Sequence, residues 1–225
     1  MIAIILAGGK SRRLCRRKDG GEDKEKALVR IAEHGQGYRN RRRLRLLDIA
    51  VESVRASKAE DFFVAITKNT PMTDEYCKHA NYKTIETPGE GYHEDLWCLL
   101  RDYPEFVSIA CDIPFLGSEH INAIIDAYLS RTPRVSVTAA VSVDILPRNL
   151  TLTLMLTPGQ GHTREFEYAG KRLLACGINA VTNSKDSRPL IFDDPLLALN
   201  INTRADLRLT RRMMHARVYK RYKRW

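Results

Sequence analysis

Long apolar runs are missing from this 225-residue sequence, and none approaches the roughly 18 residues that a membrane-spanning helix needs. The apolar start Ile2–Ala7 is short, has no basic residues before it and runs into Gly8-Gly9, which predicts a buried strand rather than a signal peptide. Paired cysteines are missing too. The five present (Cys15, Cys77, Cys98, Cys111, Cys176) are odd in number, widely spaced and form no C-x-x-C, which argues against a disulfide framework and a Cys-rich zinc site. The six histidines show neither H-x-x-x-H nor H-E-x-x-H, which disfavours a zinc hydrolase. Neither G-x-G-x-x-G nor G-x-x-x-x-G-K-[ST] occurs, so the Rossmann dinucleotide and Walker fingerprints are absent. With 44% apolar and 28% charged residues, a disordered or fibrous chain is excluded, and a reduced, soluble, cytoplasmic protein is expected.

What the sequence has in excess is positive charge, 37 Lys+Arg against 27 Asp+Glu for a net of +10, and it is unevenly placed. Residues 10–30 carry nine basic and four acidic residues, and residues 204–225 carry nine and one. The remainder, 31–203, then holds 19 basic and 22 acidic residues, a net of −3. A basic loop near the start suits a phosphate-bearing ligand. The basic end, with Tyr219, Tyr222 and Trp225 among Lys220, Arg221, Lys223 and Arg224, suits a solvated helix end or, as an accessory role, nucleic acid. A third basic cluster, Arg39–Arg45, follows Gly35-Gln-Gly37 and reads as a surface loop leading into a helix.

Hydrophobic spacing predicts strands at Ile2–Leu6, Phe62–Thr67, Tyr82–Glu86 and Phe106–Ala110. Helices are expected at 44–57, 72–79, Tyr92–Asp102 and Glu119–Leu129. This alternation is the pattern of an α/β fold: a Rossmann-like, mostly parallel sheet with helices on both faces. The second half differs. Val135–Val143, Leu150–Leu156, Arg164–Tyr168 and Leu173–Val181 are β-prone and punctuated by Gly and Pro, which predicts an added antiparallel subsheet. Leu196–Asn202 returns to a short apolar run, and Asp206–Arg217 closes with a helix. One domain over 1–209 is expected, followed by a basic helix end or tail at 210–225.

Two features carry chemistry on their own. Leu6-Ala-Gly-Gly-Lys-Ser-Arg-Arg-Leu14 follows the first strand directly. Glycines there let backbone N–H groups wrap an anion, and Lys10, Arg12 and Arg13 add charge to the same loop, at the strand end where open α/β sheets bind ligands. Asp112, at the end of the strand Phe106–Ala110, is placed either to hold Mg²⁺ together with phosphate oxygens or to cap the turn at Pro114.

Leu6-Ala-Gly-Gly-x-x-x-Arg13-Leu14 with Glu25-Lys26-Ala-Leu28 resembles the signature of the sugar and cofactor nucleotidyltransferases. Thr67-Lys-Asn-Thr-Pro71, Thr87-Pro-Gly-Glu-Gly-Tyr-His-Glu-Asp-Leu96, Leu174–Val181 and Leu199–Leu207 extend the likeness over 1–209. Together they resemble the archaeal-type GTP:adenosylcobinamide-phosphate guanylyltransferases, relatives of the molybdenum-cofactor guanylyltransferases. Ser11 and Arg12 depart from the usual Gly and Thr, and 16–24 and 33–43 read as insertions. The resemblance implies transfer of GMP from GTP to adenosylcobinamide phosphate, with Mg²⁺ as cofactor; molybdopterin or a sugar 1-phosphate is the alternative acceptor. It implies catalytic roles for Lys10, Arg13 and Lys26, although Lys26 also reads as an exposed loop lysine beside Lys24. It places the nucleotide against Leu6, Ala7, Gly8, Gly9, Ser11, Thr67, Pro88, Gly89, Glu90, Gly91 and Asp95. Asp95 also suits the dipole of its helix. It gives the metal to Asp112 and to Asn202, in preference to Asn200, although either asparagine also suits a helix N-cap. Cys176, Gly177 and Asn179 then fall on the acceptor side.

Overall fold

The structure, a computed structural model, describes residues 1–10, 14, 25–31, 44–147 and 164–215. Ser11, Arg12, Arg13, Cys15, both insertions, the expected strand Leu150–Leu156 and the tail 216–225 lie outside the described residues. Eight described strands form one sheet: β1 (Ala3–Leu6), β2 (Phe62–Ile66), β3 (Thr84–Glu86), β4 (Glu105–Ala110), β5 (Ser136–Ser142), β6 (Glu165–Tyr168), β7 (Lys171–Thr182) and β8 (Ser187–Phe192). The described α-helices are α1 (Leu46–Arg55), α2 (Pro71–His79), α3 (Tyr92–Asp102), α4 (Ser118–Leu129) and α5 (Arg204–His215).

The strand order is β3-β2-β1-β4-β7-β5-β8, with β6 paired to β7. β3, β2, β1 and β4 run parallel. From β1 the chain builds outward to β2 and β3, then crosses back to place β4 on the other side of β1. That reversal opens a crevice between the carboxyl ends of β1 and β4, the point at which open α/β sheets take ligands.

Alternate residues of each strand face opposite layers. Ala3, Ile5, Val64, Ile66, Val107 and Ile109 pack with Leu47, Ala50 and Val51 of α1 and Ile121, Ile124 and Ile125 of α4. Ile4, Ala65 and Phe106 face the other way, against Leu99 of α3. A third cluster joins Leu14, Val29, Ile31 and Leu46 to Ile201, with Leu207 and Met214 of α5 packed on it. It ties the loop after β1 and the segment after Lys26 to the end of the described chain.

The second half is antiparallel around β7, as the sequence predicts. β7 runs against β4 from Glu105↔Thr182 to Ile109↔Ile178, and against β5 and β6. The β5–β7 register shifts between Thr138 and Ala140, and Gly177 there has φ +83°, a bulge that only glycine adopts at low cost. Strand β8, parallel to β5, is a finding beyond the hydrophobic pattern: it contains Pro189, which the sheet edge tolerates. The apolar run Leu196–Asn202 begins inside a 3-10 turn, Pro195–Ala198, whose Leu196, Leu197 and Ala198 are buried. Helix α5 runs from Arg204 to His215, so the basic helix end that the sequence places from residue 210 begins within it.

Candidate functional site

The carboxyl ends of β1 and β4, the loop before α3 and the 3-10 turn Lys26–Leu28 enclose a cleft of about 420 Å³. Its wall includes Leu6, Ala7, Gly8, Gly9, Lys10, Lys26, Gly89, Glu90, Gly91, Asp95 and Asp112, which the sequence assigned to the site. Tyr92 and Cys111 also line it. Burial pushes the Cys111 thiol up to about 12, with the Asp112 charge adding to the shift, so it stays protonated at neutral pH.

Thr67 is not on the wall; it stands behind it. Its hydroxyl donates to the Gly8 carbonyl at 3.0 Å and accepts from the Asn69 backbone N–H at 3.1 Å. A Cβ on Gly8 would come within 2.3 Å of the Thr67 methyl, and one on Gly89, at φ +70°, within 2.8 Å of the Thr67 Cβ. One threonine therefore backs both glycine turns. Asp95 acts similarly, its Oδ1 accepting from the Gly89 N–H at 2.8 Å. Gly91 differs: its φ of 165° is ordinary extended backbone, and an added Cβ would meet only the end of the Glu94 side chain. Pro88, Gly9, Lys10 and Glu90 are exposed, and Gly9 has open space where a Cβ would lie.

Lys26 is held in place by its neighbour. The Glu25 carboxylate accepts from the backbone N–H groups of Met72 at 2.8 Å and Thr73 at 2.7 Å, capping α2 where the helix presents free donors and positive potential. The Lys26 ammonium then donates to Asp112 Oδ2 at 2.9 Å and Asn202 Oδ1 at 2.5 Å. Asn200 Nδ2 donates to Asp112 Oδ1 at 2.7 Å, and the Ile201 N–H donates to the Asp112 carbonyl at 2.9 Å. Burial alone pushes the Asp112 carboxyl up; the Lys26 charge and hydrogen bond, with the Asn200 bond, outweigh it and hold the carboxyl below the ordinary carboxylate range. Asn202 begins the turn into α5, where Asp206 accepts from the N–H groups of Asn202 at 3.0 Å and Thr203 at 2.8 Å. Asp112, Asn200, Asn202 and Lys26 thus form one cluster from three distant parts of the chain.

The donor set fits a hard divalent cation. Asp112 and Asn202 offer oxygens, Asn200 Oδ1 is buried with no hydrogen-bond partner among the described residues, and Mg²⁺ takes one or two protein oxygens plus phosphates. Among the described residues no group of three His, Cys, Asp or Glu could hold a metal ion.

The acceptor-side expectation divides. Asn179 Nδ2 donates to the Tyr92 hydroxyl at 2.9 Å and to Ser108 Oγ at 3.3 Å, next to the cleft wall. Gly177 packs between Ala110 and Asn200; a Cβ there would lie 3.0 Å from the Ala110 Cβ and 3.5 Å from Asn200 Nδ2. Cys176 does not face the cleft. It is 0% exposed, sits in the main core with Leu174 and Ile178, and burial pushes its thiol up to about 12. Its placement with the acceptor is corrected accordingly: in β7 it points to the opposite face from Gly177 and Asn179. Sequence reasoning missed Glu25, Tyr92 and Arg164. Arg164 donates through Nε to the Ala175 carbonyl at 2.8 Å and through Nη2 to the Ala198 carbonyl at 3.2 Å.

The cleft pairs a glycine-lined anion cradle with a lysine and a carboxylate, an arrangement that can bind a nucleoside triphosphate and stabilise charge during attack at phosphorus. Comparison with known proteins agrees. The family model described as MobA-like NTP transferase domain matches residues 3–200. The adenosylcobinamide-phosphate guanylyltransferase of Methanocaldococcus jannaschii is 29% identical over 226 aligned positions, covering 95% of this chain and 97% of that one. Among solved structures, a CMP:2-keto-3-deoxy-manno-octonic acid synthetase complexed with CTP superposes with a TM-score of 0.62 at 12% identity, over 95% of this chain and 97% of the other. A hypothetical transferase from Thermus thermophilus gives 0.57 at 15% identity, over 92% and 100%. These two likenesses show the mixed α/β fold.

Proposed function

Since the chain belongs to the family of MobA-like NTP transferase domains, we propose that it transfers GMP from GTP to adenosylcobinamide phosphate, releasing pyrophosphate and forming adenosylcobinamide-GDP. The observation that carries the choice of substrates is the near full-length likeness to the Methanocaldococcus jannaschii enzyme of that name.

The acceptor's phosphate oxygen attacks the GTP α-phosphorus, a new P–O bond forms, and the bond to the β-phosphate oxygen breaks. The nucleophile is already an anion, so no general base is required, and catalysis is positioning plus charge stabilisation. Gly8 and Gly9 present backbone amides and, with Lys10 and Arg13, hold the departing pyrophosphate. Lys26, in the cleft wall, offsets charge developing at the α-phosphate. Asp112 and Asn202 would hold Mg²⁺, which supplies Lewis-acid neutralisation of the phosphates. The turn Gly89–Gly91, with Asp95 fixing Gly89, faces the base and ribose, while Gly177 and Asn179 border the acceptor.

Among the described residues no helix is long and apolar enough to cross a membrane. The test is to incubate the protein with Mg²⁺, GTP and a panel of phosphorylated acceptors and follow pyrophosphate. Release with adenosylcobinamide phosphate alone supports the reading. Release only with molybdopterin or a sugar 1-phosphate keeps the reaction class and replaces the acceptor. The nucleic-acid alternative rests on residues 216–225, and guanylyl transfer and RNA binding after their removal separate it from catalysis.

A further inference from the structure

Arg164 belongs to none of the motifs that point to the cleft, yet it touches the two backbone segments that complete it. Its Nε and Nη2 both donate to the carbonyl of Ala175, two residues before the Gly177 bulge of β7. Nη2 also donates to the carbonyl of Ala198, two residues before Asn200. Ala198 ends the 3-10 turn Pro195–Ala198, where a last-turn carbonyl has no partner within the turn. The two segments meet at the site itself, since a Cβ on Gly177 would lie 3.5 Å from Asn200 Nδ2. Asn200 in turn holds Asp112, and Asn202 holds Lys26.

We propose that Arg164 is a positioning residue for this reaction: its guanidinium ties the β7 bulge to the turn carrying Asn200 and Asn202, and so sets the metal-ligand arm of the site. The proposal rests on the nucleotidyl-transfer reading of the cleft. A planar fork reaches two carbonyls in fixed relation, which a lysine ammonium cannot reproduce. Burial pulls the guanidinium's pKa below its ordinary value, and Cys176, Asp112 and Asp206 nearby oppose that shift only in part. Asp112 therefore has a second cation near it besides Lys26. The glycine turns at Gly8 and Gly89 lean on Thr67, not on Arg164, so the nucleotide side is held independently.

The experiment compares wild type with Arg164→Lys and Arg164→Met in three measurements: GTP affinity by calorimetry at saturating Mg²⁺, Mn²⁺ affinity of the protein–GTP complex by water-proton relaxation, and turnover by pyrophosphate release. GTP affinity is expected to stay at the wild-type value. Mn²⁺ affinity is expected to fall at least about 10-fold, as on loss of a residue that orients a metal ligand, with kcat falling in step. Arg164→Lys, which keeps charge but loses the fork, is expected to behave like Arg164→Met. Wild-type Mn²⁺ affinity in either folded variant overturns the proposal. So does a parallel loss of GTP affinity, or the unfolding of both variants, each of which marks a purely structural arginine. The Mn²⁺ measurement needs no acceptor, so a wild-type protein inactive toward adenosylcobinamide phosphate would sink the acceptor assignment and leave this comparison standing.

Discussion

Removing Lys26 exposes how the cluster is balanced. In the structure its ammonium bridges Asp112 Oδ2 and Asn202 Oδ1, the oxygens that a metal ion would use. The paired side chains are only 18% and 13% exposed. Lys26→Met leaves Asp112 with the Asn200 hydrogen bond and the more distant Arg164 charge. Stranding one partner of a fully buried pair costs about 3–5 kcal/mol. Partial exposure and the remaining partners reduce this to about 2–3 kcal/mol here, since solvent screens what is not buried. For a chain of 225 residues each kcal/mol moves Tm by about 2–4 °C, so a drop of about 4–12 °C is expected.

Thermal unfolding by circular dichroism, on single and double variants, checks the cause. Lys26→Met combined with Asp112→Asn has no stranded charge and should recover most of the loss. Mn²⁺ at millimolar concentration should raise the Tm of Lys26→Met more than that of wild type, because the ion finds the vacated oxygens. The pH dependence has a definite sign. In wild type the Asp112 pKa is depressed, so its contribution is complete above the ordinary carboxylate pKa near about 3.9 and disappears as pH falls through the lower folded value. Without Lys26 burial dominates and raises the pKa, so acid relieves the variant and its Tm gap to wild type should narrow as pH falls. An equal Tm loss in the single and double variants, or a gap independent of pH, would refute the reasoning.

The other expectations are narrower. Asp112→Asn is isosteric and should keep the native dichroism spectrum while turnover falls at least about 100-fold, on the scale of losing one electrostatic catalytic group; near-normal turnover at saturating Mg²⁺ removes Asp112 from the reaction. Gly89→Ala forces a Cβ onto a positive φ and toward Thr67, so calorimetry should show GTP affinity lost, with a stability cost of about 1–3 kcal/mol. Gly91→Val, in extended backbone, should be milder, and a result in the reverse order would show that the turn is read wrongly. If carbonyls of the Gly89–Gly91 turn accept from guanine N1–H and N2–H₂, adenine leaves two of them unpaired and GTP should bind ahead of ATP by on the order of 100-fold without acceptor; equal affinities point to a broader nucleotidyltransferase.

The residues that line the cleft were more legible in the sequence than the residues that hold them. An apolar strand ended by Gly8-Gly9 and one ended by Asp112 announce themselves locally, and the parallel sheet brings those ends together. Lys26 was found through its motif, but what fixes it was not: Glu25 reaches the N-terminus of α2, 47 positions away at Met72, and no local pattern encodes that contact. Arg164 is hidden in the same way, since its partner Ala198 lies 34 positions on. Strand β8 was hidden by Pro189, which reads as a breaker unless the strand is known to lie at an edge. Cys176 is a different case, because its signal was present. Leu174, Cys176, Ile178 and Ala180 alternate as a buried face, while Gly177 and Asn179 fall on the other. Treating 174–181 as one contiguous motif placed the thiol with its neighbours in sequence rather than with its neighbours on the strand. Without Cys176 the proposed acceptor side keeps Gly177 and Asn179, and the Asn179 amide donates both to the Tyr92 hydroxyl at the start of α3 and to Ser108 Oγ of β4. On the proposed reading, this tyrosine and this asparagine stand where the acceptor and nucleotide regions would meet. A substitution at either should be felt on both sides of the transfer.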